Sequence, residues 1–402
     1  MQNLKKTKGK EGIILILTFL HVACSMQRES DSLVPSEMRD KSLLIYAVAD
    51  NSLRKYADSL FIAVGDACIP NTDAHLLLYL DDGNKCTLYK YEAQRLKPIK
   101  DFHEMNSIDA ENLRDFFSYT QNVFPAKENG LILWSHGTGW LPSGRMTRSF
   151  GDDKGESIDF SVLADCMGDM QYDYVIFDAC YMGCVEVAWE FLNHTKYFVA
   201  SPEEIPAKGI LYNQETIAEL LADKELIGRL KNVCDSYVTA NSSYTDGKSV
   251  SVVDTRTLLQ AANVLKEKQS FCDIDIYRIK CYDFRKQKIF FDLKDFLCII
   301  GEDSLYTDFV AYCNYDKKGS QQRSGLSIFI PFQGNAAYKD SYSVLNWNIY
   351  MGWLQRFCIE KTEINRDGSW TSQATEGRAL NNHFQTKHLA IRNIISTFAD
   401  GW

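Results

Sequence analysis

The chain has no basic excess: 44 Lys and Arg stand against 53 Asp and Glu, a net charge of −9. A nucleic-acid partner asks for a basic face, so that class is set aside, while a cationic substrate stays open. There is no GxSxG elbow, which removes a serine esterase. There is no CxxC pair and no His/Cys cluster at zinc spacing, so no metal is assigned. The apolar run Ile13–Leu20 is too short to cross a bilayer. Internal repeats and low-complexity segments are absent as well.

Cysteine, in contrast, is plentiful at twelve. Cys24 closes the segment LHVAC, behind an apolar stretch and the basic residues Lys5, Lys6, Lys8 and Lys10. That order points to export and resembles a bacterial lipoprotein signal, which implies cleavage before Cys24 and lipid on its thiol; an ordinary secretory signal cut nearby is the alternative. The expected location is the periplasm or surface of a bacterium, with the membrane reached only through a lipidated N-terminus. Without Cys24 eleven cysteines remain, an odd count that leaves a thiol free.

Residues 25–41 are polar and read as a tether. From residue 42 strand-like and helix-like segments alternate. SLLIYAVAD (42–50) is an apolar run suited to a strand buried on both faces, and the next stripe is helical from Asp50 or Asn51 as N-cap. AHLLLYLDD and CTLYKYE flank Asp-Gly-Asn, a hairpin signal. Residues 109–124 and 157–170 read as helices, 172–180 as a strand followed at once by a helix, and 197–206 as a strand. Residues 249–254 and 325–332 read as strands and 304–315 as helical. The rhythm predicts an α/β fold: a mostly parallel sheet with helices on both faces. The organisation read from it is a core over 42–255, a C-terminal subdomain continuing the core over 256–361, and a tail over 362–402.

Two apolar strands end in reactive residues. One delivers Ser135, His136 and Gly137; the other delivers Asp178, Ala179 and Cys180. In open parallel sheets such ends meet in one crevice. A Cys–His pair suffices for acyl transfer, the imidazole raising the thiolate fraction. A helix beginning just after Cys180 would assist through its dipole. The N–H groups of Gly137 and Cys180 are placed to serve an oxyanion. Cys184 reads as a packed thiol.

SHGTGW (135–140), FDACYMGCVEVAWEF (177–191) and ASPEEIPAKGILY (200–212), with AVADNSLRKYA (47–57), resemble the clostripain family of cysteine peptidases, in the caspase–gingipain–legumain clan. The resemblance covers about residues 42–255. It implies a caspase-like three-layer α/β/α sandwich with a C-terminal subdomain, and an endopeptidase with His136 as base and Cys180 as nucleophile. It requires no third dyad member. Asp178 aligns with an acid of the P1 pocket, though it can equally cap the next helix. Family members that cut after Arg or Lys carry a second acid near GxxY; here Gly209, Ile210, Leu211 and Tyr212 hold none. Glu203 and Glu204 lie just upstream, either as substitutes or simply as solvated side chains. Self-cleavage in the polar stretch 141–157 is implied at Arg145, Arg148 or Lys154, against the alternative of a solvated surface loop. No cofactor is required, and calcium is left open without EF-hand spacing. The expected partner is a protein or peptide substrate met by a monomer. A catalytically inactive surface binding protein on the same fold is the competing reading.

Overall fold

Continuous apolar runs become the middle strands of a nine-stranded sheet. The computed structural model describes residues 35–373, apart from 70–72, 144–146, 207–208, 211–213, 244–247, 269, 285, 316–322, 358–360 and 365–369. The export segment with Cys24, and the tether as far as residue 34, lie outside the described residues.

The chain opens with β1 (Arg39–Val48), α1 (Arg54–Gly65), β2 (Ala74–Asp81), β3 (Cys86–Glu92), β4 (Arg95–Asp101), α2 (Ala110–Val123) and β5 (Ala126–Trp134). A small meander follows: β6 (Gly137–Ser143), β7 (Thr147–Asp153) and β8 (Glu156–Asp159), then α3 (Phe160–Asp165). Next come β9 (Tyr172–Asp178), α4 (Val185–Glu190), β10 (Thr195–Ala200), α5 (Gln214–Leu220), α6 (Leu226–Ala240), β11 (Ser249–Asp254) and α7 (Thr255–Lys266). The C-terminal part adds β12 (Cys281–Phe284), β13 (Gln287–Asp292), α8 (Leu293–Ile299), α9 (Asp303–Phe309), β14 (Val310–Tyr315) and β15 (Ser327–Ile328).

The strand order in the large sheet is β14-β11-β10-β9-β5-β1-β2-β3-β4. The pairs joining β2, β1, β5, β9 and β10 are parallel; those made by β3 and β11 are antiparallel. Only β3 and β11 therefore run against the rest, and the sheet is mostly parallel as expected.

Period-two alternation sorts β1 between two cores. Leu44, Tyr46 and Val48 join the cluster under α2, α3, α4 and α7. Leu43, Ile45 and Ala47 join the cluster under α1, α5 and α6. This is the three-layer α/β/α sandwich. α2 starts where Asp109 accepts the N–H groups of Glu111 and Asn112, each at 3.0 Å.

Several local readings change; the helix read over 157–170 is α3 only over Phe160–Asp165, and the strands read over 197–206 and 325–332 are Thr195–Ala200 and Ser327–Ile328. The stretch 141–157 is largely strand, with β7 paired on both sides by β6 and β8. The helical reading of 304–315 holds only to Phe309; the rest is β14, paired with β11 at the sheet edge. α1 begins at Arg54, and Asn51 Oδ1 instead accepts the Leu53 N–H at 2.8 Å. The helix after Cys180 starts only at Val185, with Cys184 as its N-cap residue. Tyr181 holds a left-handed φ of 62°, and Gly183 N donates to Ser201 O at 2.8 Å. The chain between is thereby kept extended, and a helix dipole at Cys180 is not available.

Candidate active site

Parallel register lines up the strand ends. Trp134 of β5 pairs with Ala47 of β1 on one side and Asp178 of β9 on the other. Two residues past Trp134 stands His136, and two past Asp178 stands Cys180. Both line one cavity of about 460 Å³ at the carboxyl end of the sheet, with Ser52, Asp178, Glu204 and Lys248. Ser135 Oγ donates to Val48 O at 2.8 Å, tying the His136 turn back to β1.

The nucleophile turn lies against residues 201–205 in a short ladder. Gly183 N donates to Ser201 O (2.8 Å), Tyr181 N to Glu203 O (3.0 Å), and Ile205 N to Cys180 Sγ (3.3 Å). The Tyr181 ring stacks on Phe290, centroids 5.4 Å apart, which holds the turn from the C-terminal side. Burial pushes the Cys180 thiol up to about 11; the Ile205 backbone opposes this, Glu204 and Asp178 add to it, and Lys248 opposes it. A thiol so placed is protonated near neutral pH and needs a base to become a nucleophile. The N–H of Cys180 makes no hydrogen bond among the described residues.

Gly137 packs directly on this turn: a Cβ there would lie 2.7 Å from Cys180 O. His136 Nε2 lies 2.9 Å from Ser52 Oγ. Asp178 is buried in the cavity floor. Gly209, at φ +68°, backs its carboxylate so closely that a Cβ would sit 2.8 Å from Oδ1.

The two glutamates separate. Glu204 is exposed on the cavity lining. Glu203 is buried, accepting from Arg323 Nη1 at 2.6 Å and from Ser249 N at 3.0 Å, outside that lining. Burial raises its carboxyl while Arg323 opposes the rise.

Of the three basic residues in 141–157, Arg145 lies outside the described residues and Arg148 is a β7 residue paired with Pro142. Lys154 sits in the β7–β8 turn at φ 53°, its Nζ 3.6 Å from Asp50 Oδ2. The acids of that turn are spent on N–H groups: Asp152 Oδ1 accepts from Gly155 N (2.9 Å) and Asp153 Oδ2 from Ser107 N (2.7 Å). Among the described residues no cluster of three or more His, Cys, Asp or Glu is disposed to hold a metal.

Sequence reasoning passes over Ser52, Ile205 and Lys248, and notes Gly209 only for lacking an acid; their places at the site come from neighbours remote in sequence. Nine described cysteines are free, and Cys272 is in a disulfide. No described helix is long and apolar enough to cross a membrane.

The family model described as the clostripain family matches residues 45–315. No curated protein sequence matches the chain. Among solved structures, it is similar to a secreted C11 cysteine protease from Bacteroides thetaiotaomicron in complex with an irreversible peptide inhibitor. That match has TM-score 0.68 and 22% identity, over 79% of this chain and 99% of that one. An inactive zymogen C11 protease from Parabacteroides distasonis matches at TM-score 0.67 and 23% identity, over 79% and 99%. At such identities the likeness is one of fold.

Proposed function

Because this chain belongs to the clostripain family of cysteine peptidases, we propose that it is an exported endopeptidase working through His136 and Cys180. The observation that carries this reading is their shared cavity at the ends of the adjacent strands β5 and β9.

In this reading His136 takes the Cys180 proton, and the thiolate attacks the scissile carbonyl. The developing oxyanion is met by the N–H groups of Gly137 and Cys180. His136 then returns the proton to the leaving amine, and water hydrolyses the thioester with the same base. No step asks for a cofactor, and a monomer contains every group named.

Asp178 favours Arg or Lys at P1, since a cation entering a desolvated floor needs a carboxylate to offset lost hydration. Glu204 at the rim is the second acid of that pocket. Glu203 is assigned no substrate contact here, its carboxylate being committed to Arg323 and Ser249. Export is supported by the Cys272 disulfide, which suits an oxidising compartment, and by the secreted B. thetaiotaomicron relative. A lipid on Cys24 remains the proposed anchor. Self-cleavage falls in the 141–157 region, at Arg145, Arg148 or Lys154; the P. distasonis zymogen supports such a control.

Cys180→Ala and His136→Ala, assayed on fluorogenic peptides with Arg, Lys or neutral P1, test the reading. Both variants are expected to lose at least about 1,000-fold in kcat, with the parent preferring basic P1. Parent-like cleavage by either variant sinks the dyad; a neutral P1 preference sinks the role of Asp178 alone.

A further inference from the structure

His136 is held at two points. Its carbonyl accepts from Gly151 N at 3.0 Å. Its ring nitrogen Nε2 lies 2.9 Å from the hydroxyl of Ser52. The loop bearing Ser52 is tied to the same hairpin that holds the His136 backbone. Asn51 Nδ2 donates to Val48 O at 3.1 Å and to Asp152 O at 2.6 Å. Lys154 N donates to Asp50 O at 3.2 Å, and its ammonium lies 3.6 Å from Asp50 Oδ2. Residues 151–154 therefore brace both sides of the Ser52–His136 contact. A contact between two exposed side chains is ordinarily transient, because each keeps its rotamer freedom. Anchoring both backbones to one turn removes much of that cost.

An imidazole has two nitrogens, and the partner of one decides what the other does. With Nε2 engaged by Ser52, Nδ1 is the nitrogen left for the thiol. If Nε2–H donates to Ser52 Oγ, Nδ1 carries the lone pair that receives the Cys180 proton. The imidazolium formed by that transfer keeps the same Nε2–H bond. A neutral hydroxyl supplies little charge stabilisation, so the effect is on ring orientation and tautomer.

Resting on the reading of His136 as base, we propose that Ser52 is a positioning residue for it. Its hydroxyl fixes the ring so that Nδ1 takes the Cys180 proton, and the 151–154 turn braces the pair.

The test uses the full chain as Ser52→Ala and Ser52→Thr beside the parent and His136→Ala. The other charged groups lining the cavity, Lys55, Asp178, Glu204 and Lys248, are left unaltered. Three quantities are read: kcat and KM on the preferred fluorogenic peptide, iodoacetamide labelling of Cys180 against pH by peptide mapping, and Tm. Ser52→Ala is expected to lower kcat about tenfold with KM within about twofold. Labelling at pH 7 should slow in step, Tm should hold, and Ser52→Thr should restore most of the rate. Parent-like kcat and labelling in Ser52→Ala overturn the proposal, as does a change confined to KM, which marks a substrate contact. A loss in kcat that tracks a fall in Tm and is not rescued by Thr marks a structural role and also overturns it. If His136→Ala is inactive while Ser52→Ala matches the parent, the dyad stands and only Ser52 fails. If His136→Ala is active, the dyad itself has failed.

Discussion

A methyl group on Gly137 would meet Cys180 O at 2.7 Å and the Met182 sulfur at 3.0 Å. Backbone cannot yield as a flexible side-chain tip can, so Gly137→Ala pushes the His136 and Cys180 turns apart. The oxyanion donors then miss their target. The expected result is a loss of roughly 100-fold in kcat, comparable to losing one such donor, with a far-UV spectrum like the parent's. Steady-state kinetics beside circular dichroism checks it. The thiol itself makes a second prediction. Burial raises the Cys180 thiol, so a base is needed to populate the thiolate near neutral pH. In His136→Ala, iodoacetamide labelling of Cys180 should therefore rise only well above neutral pH. In the parent the rise should come at clearly lower pH. Coincident profiles would show that His136 does not act on this sulfur. Peptide mapping is needed because Cys68 and Cys298 are exposed and will also react.

At the scale of elements, the ladder between residues 180–183 and 201–205 sets where the Cys180 thiol stands. Its middle rung, Tyr181 N to Glu203 O, belongs to a residue whose carboxylate is clamped by Arg323 and Ser249. Removing Glu203 takes away the buried acceptor that the Arg323 guanidinium and the Ser249 amide share. Glu203→Ala should therefore cost about 3 kcal/mol, read as a drop in urea midpoint. Arg323→Leu in the same background should cost little more. If the two losses simply add, the clamp is not a coupled pair. This pairing also shows what sequence cannot carry. Glu203 and Glu204 are neighbours of one type, and only a partner 120 residues on tells them apart. The strand ends bearing His136 and Cys180 are legible because unbroken apolar runs stop there, whereas the adjacency of β5 and β9, with a meander and a helix between them in sequence, comes only from the structure. The turn Tyr181–Cys184 is not legible. Its apolar residues fall at helical spacing with Val185 and Trp189, while a tertiary ladder holds it extended. Residues 310–315 mislead similarly: they continue a helical stripe, and pairing with β11 makes them a strand.

At the scale of the whole molecule, a fully buried acid is among the links between the C-terminal part and the site. Glu186 on α4 accepts from Phe329 N at 2.8 Å and Tyr342 OH at 2.7 Å, both beyond the span matched by the family model. Tyr342 and Phe329 also pack on Trp140, centroids 4.9 and 4.7 Å away, just after the His136 turn. These contacts fasten the segment after each catalytic strand to the same aromatic cluster. Burial raises the Glu186 carboxyl from 4.5 to about 7, against the pull of the two donors. Between those values the folded state holds a proton that the unfolded chain has released. Stability from this group is thus fully present below about pH 4.5 and is lost as pH rises through about 7. The gap is worth roughly 3 kcal/mol at about 1.4 kcal/mol per pH unit. Glu186→Gln keeps an acceptor for Phe329 and Tyr342 but cannot ionise. Relative to the parent it should therefore gain stability between pH 5 and pH 8, by up to about 3 kcal/mol, with the difference flat below pH 4.5. Urea unfolding of both proteins across that range measures it. A gap that does not widen with pH would mean that Glu186 already ionises in the fold and that its two donors outweigh its burial.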